Sequence, residues 1–237
     1  MRRRYPERDS FDHPLFVADE IAAKRELVAR AQELLSAAAL GELLAGWRYD
    51  ELVQRLETLG KATHLLWNRV PQRGDLAILY QRGLDRAEFA IQFQRPLYGS
   101  AGAAQRLECF SNYARRPYLP DRWPFPTFFL FVTQPDSELF VQPQVARWFL
   151  QYLGLASVYT ASPSAEVYSL LRRQAELLAD ALQRYRPRDM GRRAELPVDL
   201  RARELGAGGE PGRRRTGRAG SGYDTGRGGG GRASSGG

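Results

Sequence analysis

The sequence is short of the residues on which several chemistries depend. Cys109 is the only cysteine in 237 residues, which excludes a disulfide scaffold and a cysteine-rich zinc site and points to a reducing compartment. There are two histidines, His13 and His64, and neither has a partner at ligand spacing. No apolar run approaches the roughly 20 residues that cross a bilayer. Asp9, Asp12, Asp19 and Glu20 keep the basic start MRRRYPERDS from leading into an apolar stretch, so it does not read as a signal peptide. Phosphate-binding loops of the form GxxxxGK(S/T) or GxGxxG do not occur. Lysine is nearly missing, Lys24 and Lys61 standing against 33 arginines. That skew fits a GC-rich genome, and it also suits phosphate, onto which guanidinium forks better than ammonium. A soluble, cytoplasmic protein without membrane contact is expected.

What is present is unevenly placed. The formal charge is +8. From Pro187 onward there are eleven arginines against six acidic residues, a net of +5, so residues 1–186 hold only +3. Fifteen of the 23 glycines lie between Gly191 and Gly237. The expectation is a flexible N-terminus over 1–12, one domain over 13–186 and a disordered Arg/Gly-rich tail over 187–237, too poor in apolar surface to offset its ordering entropy.

Within the domain the periodicity predicts a helix from Phe16 to about Leu40, stopped by Gly41, and a second from about Tyr49 to Leu59, ended by Gly60. Three strands are then expected: Ala62 to Val70, Asp75 to Gln81, and Ala87 to Gln94, where Phe89, Ile91 and Phe93 alternate with polar residues. A helix over Ala101 to Ala114, a strand at TFFLFVT (127–133), a helix near Pro143 to Leu153, a strand at Leu155 to Thr160 and a long helix from Ser164 to about Tyr185 complete the domain. This order predicts an α/β fold with a mixed sheet, of the restriction-endonuclease-like αβββαβ kind.

Nucleases of that fold need hard oxygen ligands for Mg²⁺. Asp75, opening the second expected strand after Gly74, occupies the position of the first ligand and is the candidate metal residue. Seventeen residues later, where an acid-x-lysine pair is expected, stand Gln92 and Gln94, followed by Arg95. Neutral amides leave the ion underbalanced in charge. Glu88 or Glu108 is then the replacement carboxylate in an active Mg²⁺-dependent DNA nuclease, and Asp75, Gln92, Gln94 and Glu108 form the candidate catalytic set. The alternative is that Asp75 closes a turn and Glu88 and Glu108 are solvated. Cys109, in the apolar series of a helix, is expected to be a buried inert thiol.

The segment FAIQFQRPLYGSAGAAQRLECFSNYARRPYLPDRWPFPTFFLFVTQ resembles the second half of the replication-relaxation proteins of plasmids and integrative elements. The match runs through Phe89 to Arg95, Arg106 to Tyr113, Trp123 and Phe128 to Thr133, with a further likeness at HPLFVADEIAAKREL (13–27). The resemblance implies a DNA-associated role in replication of a mobile element, the nuclease-like fold, and replication proteins as partners. Gln92 and Gln94 depart from it where that family tends to have acids, which implies an inactive nuclease-like domain, and the first twelve residues leave no room for the winged-helix module usually found ahead of this part.

The expected function is therefore DNA or RNA binding of low sequence preference, with no cofactor unless the nuclease is active and holds Mg²⁺. The candidate contacts are Arg95 and Arg106 in the domain and Arg213, Arg214, Arg215, Arg218, Arg227 and Arg232 among the tail glycines. A protein-interaction subunit is the remaining alternative, its docking surface being the aromatics of PYLPDRWPFPTFF, which are otherwise packed on their own core.

Overall fold

A computed structural model describes residue 14 and residues 21–182 apart from 117. The expectations for 1–12 and 187–237 lie outside the described residues. Among the described residues every regular element is a helix and no strand forms, so the mixed sheet and the restriction-endonuclease-like fold are overturned.

The helices are α1 (Ala22–Leu34), α2 (Ala37–Ala45), α3 (Tyr49–Lys61), α4 (Arg86–Tyr98), α5 (Ala103–Arg115), α6 (Pro124–Thr133), α7 (Pro143–Tyr152) and α8 (Ala165–Ala181), with short 3₁₀ turns at Ala77–Tyr80 and Ala156–Val158. The expected first helix is split, because the Ser36 hydroxyl accepts the Ala39 N–H at 3.1 Å and starts a new helix. Gly41 therefore lies inside α2 rather than after a helix, and Gly60 lies inside α3. Helix α3 buries Leu52, Val53, Leu56 and Leu59 as their spacing predicts. Helix α8 begins where Ser164 accepts the Val167 N–H at 3.3 Å.

The five expected strands fail for identifiable reasons. In α4 the Asp85 carboxylate caps the first turn by accepting the Glu88 N–H at 3.0 Å. Phe89, Phe93 and Leu97, four apart, are buried together with Ala90, while Ile91 keeps 46% of its surface exposed. The apparent alternation of Phe89 and Phe93 is one face of a helix sampled at every second residue. TFFLFVT belongs to α6, whose ten residues are all buried. A helix apolar on every side has no phase to read, and a short apolar run fits a strand equally well. Its signal is at the start, where Pro124 and Pro126 occupy the first turn, in which no intrahelical N–H is needed. The stretch 62–70 is loop, and Asp75–Gln81 and Leu155–Thr160 contain only the 3₁₀ turns.

Helix α6 is the centre. It packs against α1, α4 and α5, while α8 covers α5 and α3 covers α4. Phe89 and Phe93 of α4, Phe110 of α5 and Phe125 and Phe129 of α6 form one aromatic cluster, with Phe93 and Phe129 edge to face at 5.4 Å and Phe125 and Phe129 at 5.1 Å. Most aromatics of PYLPDRWPFPTFF thus pack inward: Trp123, Phe125, Phe128 and Phe129 are buried, and Tyr118 stands out at 93% exposed.

Polar side chains satisfy the helix ends that this packing buries. Arg55 donates to the Leu34 carbonyl at 2.9 Å, Arg106 to the Leu97 carbonyl at 2.7 Å and Tyr98 to the Leu35 carbonyl at 2.7 Å. These are terminal carbonyls of α1 and α4, which lack intrahelical partners.

Candidate functional site

Between α3 and the first 3₁₀ turn the chain reads WNRVPQRGD over 67–75, a Pro- and Gly-punctuated stretch that folds as a closed loop. Its mouth is fastened twice by the same pair: the Asp75 N–H donates to the Trp67 carbonyl at 2.8 Å, and the Trp67 N–H donates to Asp75 Oδ2 at 2.7 Å. Inside, the Gly74 N–H donates to the Val70 carbonyl at 2.7 Å. A Cβ on residue 74 would sit 2.6 Å from the Trp67 carbonyl oxygen, so the turn accepts only glycine. Two outside contacts hold the loop in place. Asn68 Nδ2 donates to the Gly60 carbonyl at the end of α3 at 2.8 Å, and Arg122 Nη1 donates to the Arg73 carbonyl at 2.8 Å.

The tightly held backbone presents an exposed surface. Arg69, Val70, Pro71, Gln72 and Arg73 are exposed, and Trp67 keeps 48% of its surface. Among the described residues neither the Arg69 nor the Arg73 guanidinium has a hydrogen bond or an ion pair. Trp67, Asn68 and Arg69 line a cleft of about 740 Å³ together with Lys61, His64, Pro124, Phe140 and Gln144. Lys61 is ion-paired with Glu57, which also accepts the Tyr80 hydroxyl at 2.9 Å. The Lys61–Glu57 pair, more than the Tyr80 hydroxyl, holds the Glu57 carboxyl below its usual value and raises the Lys61 ammonium. Burial pushes the Asp75 carboxyl up, outweighing the Trp67 N–H and the Arg122 charge, which pull it down.

Among the described residues no hydrogen bond joins the candidate catalytic residues to one another. Asp75 locks the loop mouth, as the turn-closing alternative has it. Gln92 accepts from Arg95 at 3.0 Å on the same helix, and Gln94, two positions on, lies about 200° around α4 from it. Glu108 accepts the Ala165 N–H at 3.3 Å and so caps α8, while Glu88 stands in the first turn of α4. Among the described residues no three His, Cys, Asp or Glu side chains gather as a metal site. Arg95 is exposed, but Arg106 is committed to the Leu97 carbonyl. The tail arginines Arg213, Arg214, Arg215, Arg218, Arg227 and Arg232 lie outside the described residues. Cys109, expected to be buried, is exposed on α5.

Sequence reasoning passes over Trp67, Arg69 and Arg73 by assigning them to a strand end and its turn. The available signal is the Pro71 and Gly74 punctuation between two apolar runs, which marks a loop on its own.

Among the described residues the chain is thus helical, with a hydrogen-bonded loop carrying two guanidinium groups that have no partner there, beside a cleft. No helix among the described residues is long and apolar enough to cross a membrane. No family model, curated protein or solved structure matches the chain.

Proposed function

We propose that this is a nucleic-acid-binding protein that acts without a catalytic centre, with the Trp67–Asp75 loop as its ordered contact and the Arg-rich stretch after Pro187 as a second, less selective one. The observation that carries the reading is the loop itself. Two arginines without partners among the described residues are presented on a backbone fastened at its mouth, by Asn68 and by Arg122, so little order has to be gained when phosphates bind. The sequence after Pro187 adds a net +5 of the same sign. The resemblance to replication-relaxation proteins points to replication DNA of a plasmid or mobile element as the setting.

Salt dependence of binding tests this. Anisotropy of a labelled oligonucleotide with the full chain, at several salt concentrations, should show that Arg69→Ala with Arg73→Ala weakens affinity about tenfold. The slope of log affinity against log salt should fall by about two, one for each lost phosphate contact. Both positions are exposed and have no partner among the described residues, so stability should stay within about 0.5 kcal/mol of the parent. An unchanged slope in this variant, with binding abolished by alanine at Arg213, Arg214, Arg215 and Arg218, would assign the contact to the tail alone. Affinity unmoved by either set would overturn the proposal.

A further inference from the structure

We propose that the cleft beside the loop takes one unpaired nucleobase, stacked on the indole of Trp67 while Arg69 and Arg73 hold the adjoining phosphates, so that the ligand is single-stranded nucleic acid. This rests on the nucleic-acid reading above and narrows it.

Trp67 differs from the other three tryptophans. Trp123 is buried, with its indole N–H donating to the Thr160 carbonyl at 2.8 Å. Trp148 stacks on Tyr152 at 5.9 Å, and Trp47 meets Tyr49 at 6.4 Å. The Trp67 ring meets no other ring among the described residues, lines a cavity, and sits on a residue whose N–H and carbonyl are both bound to Asp75. An aromatic face that is half-exposed and positioned from behind by hydrogen bonds is a stacking platform, since every base has a π-face and stacking does not depend on its identity.

The rest of the cleft fits the other parts of a nucleotide. Its volume of about 740 Å³ is within the range of small-ligand sites and far exceeds one base. Pro124 and Phe140 supply apolar wall, and Gln144, exposed at the start of α7 and without a hydrogen bond among the described residues, carries a donor and an acceptor for a base edge. Arg69 lines the cleft and Arg73 is on the same exposed loop, so both are available to phosphates on either side of an inserted base. Lys61 and Arg122 add positive charge against Glu57 and Asp75. In a duplex the base faces are covered by their neighbours and only the phosphates could reach the loop, leaving the indole and the apolar wall unused.

The experiment uses the full chain and labelled single-stranded DNA and RNA oligomers of equal length, the corresponding DNA duplex, and an abasic DNA oligomer with the same number of phosphates. The parent protein should bind both single strands about tenfold more tightly than the abasic oligomer. Trp67→Ala should lower single-strand affinity to about the abasic level, and Trp67→Phe should keep most of it. Indole fluorescence should be quenched by the single strands in the parent and much less in Trp67→Phe. A difference between the DNA and RNA arms tells which sugar the site prefers. Equal affinity for the normal and abasic oligomers overturns this inference in the parent protein alone, whatever the variants' folding. If Arg69→Ala with Arg73→Ala still weakens that binding, the reading of nucleic-acid function stands without the stacked base. If none of the Arg69 and Arg73, tail-arginine and Trp67 variants moves any affinity, both fall.

Discussion

In the α4–α5–α6 core, Trp123 is fully buried and Arg106 is bound to a helix-end carbonyl, so both side chains hold the fold together. In the Trp67–Asp75 loop the commitment is reversed. The backbone carries the hydrogen bonds, while the indole and two guanidinium groups have no partner among the described residues. The same residue types serve packing in one region and presentation in the other, and what separates them is which atoms are already partnered. Net charge or aromatic content cannot make that distinction, since the tail and the core hold most of both.

The comparison breaks most visibly if the core is emptied. Phe129 is fully buried and touches Phe93, Phe125 and Phe128 at ring separations of 5.1 to 5.4 Å. Phe129→Ala should cost about 3–5 kcal/mol in urea unfolding, since the cavity lies at a helix enclosed on all sides. Trp67→Ala, by contrast, should cost less than about 1 kcal/mol, because half of that side chain is already in water. Similar costs at the two sites would mean that the loop indole is part of the core.

A smaller effect is expected where polar groups are buried. The Tyr168 hydroxyl donates to Glu138 Oε2 at 2.9 Å and accepts the Leu139 N–H at 2.9 Å, with Arg172 Nη1 3.5 Å from the other carboxylate oxygen. Tyr168→Phe leaves a buried carboxylate and a buried N–H short of partners and should cost about 1–3 kcal/mol. Burial and the Glu138 charge also push the Tyr168 phenol well above its usual value, and burial pushes that of Tyr113 up to about 12. Their folded-state values lie above the unfolded one, so the unfolded chain loses its protons first. The stability they contribute is intact below about pH 10 and lost as pH rises further. Denaturation midpoints should therefore fall steeply above about pH 10 in the parent and less steeply in Tyr168→Phe.

These contrasts also explain what could be read from the chain. Helices α3, α5, α7 and α8 carry mixed apolar and polar residues at helical spacing, so Leu52, Leu56 and Leu59, or Leu107 and Phe110, mark a face without help from the rest of the fold. Helices α4 and α6 defeat the same method. In α4, Phe89 and Phe93 are in phase with both a strand and a helix, and the deciding facts, Ala90 and Leu97 buried and Ile91 exposed, are tertiary. In α6 there is no polar face to set the phase. The strands that were to carry Asp75, Gln92 and Gln94 are absent among the described residues, so the sheet geometry expected for those positions does not form. The loop geometry was invisible for a different reason: Trp67 and Asp75 meet through hydrogen bonds set by the whole loop, and Arg122 reaches it from 49 residues away.

The finest expected effect concerns three helix ends. Helix α7 closes with Gly154 at φ +73°, the Leu155 N–H reaching the Leu150 carbonyl at 2.7 Å. Helix α2 closes the same way, with Arg48 N–H to Leu43 carbonyl at 2.9 Å, but Trp47 takes the left-handed position at φ 58°. At the end of α5, Tyr118 does so at φ 56°. A side chain with a Cβ pays about 1 kcal/mol or more for that conformation, whereas glycine does not. Trp47 is 79% exposed, so little packing offsets the strain. Trp47→Gly should therefore raise stability by about 0.5–1 kcal/mol, read as a higher urea midpoint with unchanged slope, after the weak ring contact with Tyr49 is subtracted. Oligonucleotide affinity should be unchanged, in contrast to Trp67→Ala. A fall in stability would show that the exposed indole at residue 47, rather than the backbone beneath it, decides the end of α2.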